Sequence, residues 1–259
     1  MQAKSHRRLL LLGLALGGGY LVAGRALPTL PWFAANLEFE DIDQPAGFRR
    51  IRAGETSTGG FDPFAGIDSA GPAEPAPSAV SAVRQDICNA LFEGWTPGSG
   101  TVPIASFSDY NCPICRITTR RIAGAAPVQD GTARVTWHEL PILGETSVLA
   151  AKAALAADNQ GVYAAFQDRL LRSAFQPTDG YIDALANDLD LDRDRLASDM
   201  QSPDIEARID RSLALRDIFG FRGTPAILVG RTVVEGDIGE ATLSRLIELE
   251  REAGPPPVC

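Results

Sequence analysis

The sequence predicts an α/β sandwich that carries an inserted all-helical subdomain. Three observations lead there. Two apolar runs, 101–107 and 133–140, read as strands on either side of a helix that begins at Cys112-Pro-Ile-Cys115. Residues 147–219 then keep helical spacing with no strand among them. Last come two short β runs, 225–229 and 232–235, separated by Gly230-Arg231 at hairpin spacing and followed by a helical stretch over 240–253.

Taken in order, the first 26 residues stand outside this fold. Lys4, His6, Arg7 and Arg8 make a basic start, and an apolar run extends from Leu9 to Gly24. Gly24 and Ala26 suit a signal-peptidase site, and the run is short for a membrane span. Residues 1–26 therefore read as an export signal or an N-terminal membrane anchor, by a general secretory or a twin-arginine route. Residues 27–78 read as an irregular, membrane-proximal extension and Pro-rich linker with little core of its own. Within it Leu37-Glu-Phe-Glu-Asp-Ile42 and Phe48-Arg-Arg-Ile51 pair as short strands about Gln44-Pro-Ala-Gly47. The folded domain is residues 79–259, with the helical insertion at about 147–219.

Ser78 or Ser81 caps a helix that runs through Val83, Ile87 and Leu91 and stops at Gly94. Strand 101–107 accommodates Pro103 because it lies near the strand's beginning. The motif helix starts at Cys112, with Pro113 in a first turn where its missing N–H costs nothing. Segments 147–158, 162–172, 180–189, 192–201 and 204–219 each have helical periodicity and a capping residue. Phe166, Phe175, Phe219 and the leucines of this block read as core.

The chemistry concentrates at the cysteine pair. At the start of a helix the Cys112 sulfur meets unpaired backbone N–H groups and the positive end of the helix dipole. A free cysteine titrates near ~8.5, and such a position lowers this by roughly 1 to 5 units. At about 1.4 kcal/mol per unit, the reduced, ionised form gains a few kcal/mol. A favoured thiolate makes the disulfide an oxidant. Cys112 is read as the exposed attacking thiol and Cys115, one turn on, as the shielded resolving thiol. The net charge of −9 offers no basic stripe for nucleic acid. Zinc needs four ligands, and Cys88, Cys259 and His138 supply no second closely spaced pair. A purely structural bridge across so short a loop constrains the unfolded chain by only about 2 kcal/mol. Cys88 and Cys259 either form a second, stapling disulfide or remain an inert buried thiol and a loose terminal one. His138, beside Trp137, ends its strand, with help to the active site as the alternative, and Arg116, Arg120 and Arg121 read as a solvated face, with Arg116 able to add positive potential at the thiolate.

Three segments, Phe107-Ser-Asp-Tyr-Asn-Cys-Pro-Ile-Cys115, Glu139-Leu-Pro-Ile-Leu-Gly144 and Gly220-Phe-Arg-Gly-Thr-Pro-Ala226, resemble the DsbA-like family of thioredoxin-fold thiol–disulfide oxidoreductases. The resemblance covers residues 80–253 and implies a thioredoxin-like fold with the helical insertion in the family's place. It implies that Pro225 is cis and faces the cysteines, so that the backbone of Thr224 pairs with an extended substrate segment. Two departures stand out. Where such proteins often hold a buried acid beneath the cysteines that moves protons, this chain has Ser106. Asp109 and Glu139 are the nearby candidates for that task, read instead as a motif-loop residue and a strand-end charge, which leaves proton handling at Cys115 to water. Pro113-Ile114 also places an apolar residue where some oxidases have histidine, which implies a milder oxidant. The resemblance implies an exported, periplasmic enzyme that passes its Cys112–Cys115 disulfide to reduced or unfolded exported proteins. A separate redox partner, such as a membrane protein, must reoxidise it, and no metal, nucleotide or organic cofactor is needed. An isomerase or reductase of the same fold, and a non-catalytic peptide-binding or chaperone module, are the alternatives.

Overall fold

Burial of the strand that leads into the motif organises the molecule. The structure, a computed structural model, describes residues 37–52, 74–173 and 177–259. In it β3 (Val102–Ser108) is buried at all seven positions. A strand hidden on both faces needs helices above and below it. On one side β3 pairs in parallel with β4 (Ala133–Glu139), and on the other it runs antiparallel to β5 (Ala226–Val229). β6 (Thr232–Glu235) returns antiparallel to β5 through Gly230-Arg231.

Residues 37–52, expected in the irregular extension before the folded domain, belong to the domain's sheet. β1 (Glu40–Asp41) and β2 (Arg49–Arg52) form the hairpin expected about Gln44-Pro-Ala-Gly47. β2 then pairs in parallel with β6, from Arg49 opposite Thr232 to Arg52 opposite Glu235. The sheet of the described residues has the order β1-β2-β6-β5-β3-β4. Side chains explain the docking: Phe48 and Ile51 are buried, and Phe48 meets Phe219 edge-on at 4.9 Å. Arg49 donates to the buried Glu250 at 2.7 Å and to Thr232 Oγ1 at 2.8 Å. The expected export signal, most of the linker and Phe175 lie outside the described residues.

The helix expected through Val83, Ile87 and Leu91 is two helices, α1 (Pro77–Gln85) and α2 (Ile87–Leu91). Asp86, at φ −144°, ends the first, and its side chain accepts the Asn89 N–H to cap the second. Neither Ser78 nor Ser81 is the cap, because Pro77 opens α1 and Ala76 precedes it without a side-chain bond. α3 (Pro113–Gly124) follows the motif, and the short α4 (Ala126–Gln129) leads to β4.

The insertion comprises α5 (Glu145–Asp158), α6 (Tyr163–Arg172), α7 (Asp179–Asp188), α8 (Arg193–Asp199) and α9 (Pro203–Phe219). Buried alanines at 150, 151, 153, 154, 156 and 157 let the other four helices approach α5 closely. α9 also packs on β4 and α1, so the insertion and the sheet share one core. α10 (Glu240–Ala253) packs on β3, β5 and α3.

Candidate active site

Cys112 is the N-cap of α3 and Pro113 its first residue. Because the N-cap side chain points back over the first turn, Cys112 Sγ accepts the Cys115 N–H at 3.0 Å. The two cysteines form a disulfide with Cα atoms 5.2 Å apart. Sheet register brings the other half of the site. Phe107 is opposite Ala226, so Pro225, one residue before β5, lies at the sheet end from which the motif loop emerges. The Thr224–Pro225 bond is cis, and the Thr224 carbonyl oxygen is 3.5 Å from Cys112 Sγ. A disulfide sulfur carries no hydrogen, so in the oxidised state this is a contact rather than a hydrogen bond. The Pro225 carbonyl accepts the Gly236 N–H at 2.9 Å, which anchors the loop to the end of β6. The Thr224 hydroxyl is buried and has no hydrogen-bond partner among the described residues.

Cys112 is not exposed: both Cys112 and Cys115 have 0% relative accessibility. The sulfur is enclosed by the α3 start on one side and by the buried Thr224–Pro225 backbone on the other. What the site presents to solvent is apolar: Pro113 is exposed, Ile114 half-buried, and Ile117 is 52% exposed.

Two carboxylates flank the motif loop. Asp109 is the loop residue expected: it accepts backbone N–H groups from Asn111 at 2.8 Å, Ile142 at 2.8 Å and Leu143 at 3.0 Å, and the Ser147 hydroxyl at 2.6 Å. Burial raises its carboxyl above the usual range, against the lowering effect of those bonds. Asn111 adds a bond from its side-chain N–H to Thr146 Oγ1 at 2.7 Å. These bonds lock the loop before Cys112 to the loop that starts α5.

Glu139 ends β4, as expected, and lies in the core. Its Oε1 accepts O–H bonds from Tyr110 at 2.7 Å and Tyr163 at 2.6 Å. Burial pushes its pKa up to about 7, although the two phenols favour the ionised form. Tyr110, Tyr163 and Gln167, which donates to the Tyr163 oxygen at 2.8 Å, escaped the sequence reading. The available signal was Tyr110 itself, an aromatic hydroxyl in the motif that needs a partner once buried.

His138 is directed away from this cluster. Its Nε2 lies 2.9 Å from the Leu91 carbonyl, its ring stacks on Phe107 at 4.4 Å, and burial lowers its pKa to about 4. Ser106 is buried in β3 opposite Trp137 and Ile227. The arginines are not a uniformly solvated face. Arg116 donates to the carbonyls of Ser173 and Tyr110, and Arg121 pairs with Asp237 and the Ile238 carbonyl. Arg120 is exposed and donates to the Arg116 carbonyl. Cys88 and Cys259 form a disulfide with Cα atoms 5.5 Å apart, which ties the chain end to α2, apart from the motif.

Comparison with known proteins agrees with this architecture. The family model described as thioredoxin matches residues 99–249. A thioredoxin-like oxidoreductase from Silicibacter pomeroyi DSS-3 is 34% identical, with a TM-score of 0.60, over 64% of this chain and 99% of that one. The thiol–disulfide exchange protein alpha-DsbA2 from Wolbachia pipientis is 25% identical, with a TM-score of 0.57, over 67% of this chain and 96% of that one. A periplasmic thioredoxin-like protein from Salmonella enterica serovar Typhimurium shares the fold, at 24% identity and a TM-score of 0.52, over 64% of this chain and 96% of that one. No curated protein matches the sequence significantly.

Proposed function

We propose, from the premise that this chain belongs to the thioredoxin family and is a thiol–disulfide oxidoreductase of the DsbA type, that it works as an oxidase on exported proteins. The observation that carries this reading is the Cys115 N–H directed at Cys112 Sγ at 3.0 Å. When the disulfide opens, that donor and the α3 dipole remain in place to stabilise a Cys112 thiolate. A leaving thiolate so held favours reduction of the enzyme, hence oxidation of its substrate.

The reaction runs in two exchanges. A substrate thiolate attacks Cys112 Sγ, a mixed disulfide forms, and the electron pair of the broken bond leaves on Cys115 sulfur, which takes up a proton. A second substrate thiolate then attacks the substrate sulfur of the mixed disulfide and expels Cys112 as thiolate. Thr224, Pro225, the exposed Pro113 and the half-buried Ile114 receive the substrate chain, with the Thr224 carbonyl already beside the reacting sulfur. Since Cys112 is covered in the oxidised protein, attack requires local displacement of that cover. We place the enzyme in the periplasm, exported or tethered by residues 1–26, with a redox partner reoxidising the pair. The basic start and apolar run at the N-terminus support this location, as does the periplasmic Salmonella protein of the same fold.

Side-by-side assays of disulfide formation in a reduced protein and of repair in a scrambled one test the proposal. Oxidase activity abolished by Cys112→Ser is expected. Repair outpacing oxidation assigns an isomerase, and binding of unfolded chains that survives Cys112→Ser assigns a chaperone.

A further inference from the structure

Arginines rim the cysteine site. Residues 235–237 run beside the cis-proline loop, and the Gly236 N–H donates to the Pro225 carbonyl. Glu235, opposite Ala226 in the sheet, ion-pairs with Arg50 at 3.0 Å and with Arg222 at 3.5 Å. Its side chain is 8% exposed and that of Arg222 75%, so this pair shows solvent a positive charge. Arg222 stands two residues before Thr224, with the two Cα atoms no more than about 7 Å apart. Asp237 accepts the Thr118 hydroxyl and pairs with Arg121, both on α3. Along α3 the exposed residues Pro113, Ile117 and Arg120 form one stripe that begins at the motif. The helical rise places Arg120 about 10 Å from Pro113, close to one Debye length at about 0.1 M salt. Arg116 and Arg120 donate to carbonyl oxygens, which leaves their charges uncompensated. Among these described residues five arginines meet two carboxylates, a surplus of three positive charges on a chain of net charge −9.

We propose that this rim selects the substrate: the enzyme prefers chains that carry aspartate or glutamate within a few residues of the reacting cysteine, and Arg222 is the main specificity-determining residue. The proposal rests on the thiol-exchange reading above and names the substrate class of that same site. Elsewhere the protein's negative charge repels an acidic chain, so attraction is local to the rim and draws such a segment across Thr224. Guanidinium suits the task, since its planar fork of donors matches a carboxylate. Because Arg222 is solvated, its charge acts on the rate of encounter, and salt screens it. The exchange chemistry is unchanged: the substrate thiolate attacks Cys112 sulfur, and the electron pair of the broken bond leaves on Cys115.

Oxidation of two dithiol peptides by the full-length, oxidised protein tests this. The peptides differ only in carrying glutamates or lysines on both sides of one cysteine. Each rate is divided by that of the same peptide with uncharged hydroxyethyl disulfide, which removes the effect of the flanks on thiol acidity. At about 20 mM salt the acidic peptide is expected to react about tenfold faster, and at about 0.5 M salt the two converge. Arg222→Glu is expected to cut the low-salt preference at least about threefold. Arg134→Glu is the control, since Arg134 is exposed and stands opposite Pro103, about 17 Å along the strands from Ser108. It makes the same change in net charge and is expected to leave the preference in place. Equal normalised rates at low salt, a preference for lysine, or an equal loss in Arg134→Glu and Arg222→Glu overturns the proposal. Peptides oxidised without regard to charge sink this proposal alone, whereas peptides that are not oxidised at all sink the oxidase reading with it.

Discussion

Removing the Cys88–Cys259 bridge in the double variant Cys88→Ala/Cys259→Ala gives a perturbation whose size the structure dictates. The bridge spans a sequence separation of 171. For a loop of that length the chain-entropy relation gives about 5 kcal/mol of lost constraint on the unfolded chain. Residual structure in the unfolded chain and native strain reduce such values, so the expected loss is about 2–5 kcal/mol. The folded state contributes as well. Pro257 lies over Gly47 in the β1–β2 turn, so the bridge holds the tail against the hairpin that docks on β6. Urea unfolding with Cys112–Cys115 kept oxidised reads the loss. At a slope of about 3 kcal/mol per molar the midpoint falls by roughly 0.7–1.7 M, and amide exchange in β1 and β2 accelerates. A midpoint unchanged in the variant, with peptide mapping showing the bridge intact in wild type, refutes the reasoning.

Other outcomes follow from individual residues. His138 is buried neutral with its pKa lowered to about 4 by burial. Between that value and its unfolded pKa of ~6.5 the unfolded chain binds the extra proton, so the histidine's contribution to stability falls as pH drops through this window, by up to about 3 kcal/mol. Glu139, with its pKa raised to about 7, contributes a slope of the opposite sign. Equilibrium unfolding of His138→Asn is expected to lack the histidine's slope, and a slope equal to wild type contradicts the assignment. Gly230 has φ +54° and a Cβ there would sit 2.5 Å from Glu250 Oε2. Gly230→Ala therefore strains the turn and displaces the carboxylate bonded to Arg49 and Thr232. Thermal unfolding is expected to show a loss of about 2–4 kcal/mol, and a neutral result refutes the close approach. Asp109→Ala leaves the N–H groups of Asn111, Ile142 and Leu143 without their acceptor. A loss of at least about 3 kcal/mol in urea unfolding is expected, with less than about 1 kcal/mol contradicting the loop lock.

Most of the regular elements were legible because their signals are local. Pro113, Ser202 and Thr178 mark helix starts, and the 232–235 strand follows a two-residue turn. The cysteine motif carried its own chemistry for the same reason. What escaped depends on contacts between distant segments. Nothing within residues 48–51 shows that Arg49 will meet Glu250, so β2 looked like part of a loose extension. Asp86 breaks the first helix through backbone geometry and a three-residue cap, a signal overridden in the reading by the apolar spacing of Val83, Ile87 and Leu91. Burial of Cys112 arises from the Thr224 backbone, far along the chain. Glu139 read only as a strand-end charge because its partners Tyr110 and Tyr163 stand on separate elements.

The central claim is that backbone geometry at the start of α3 stabilises sulfur 112 as an anion. Rapid alkylation of the reduced protein across pH, with modification at Cys112 followed by mass, measures this directly. The account predicts a transition at least about one unit below the ~8.5 of a free thiol. A Cys112 that titrates at or above the free-thiol value contradicts it.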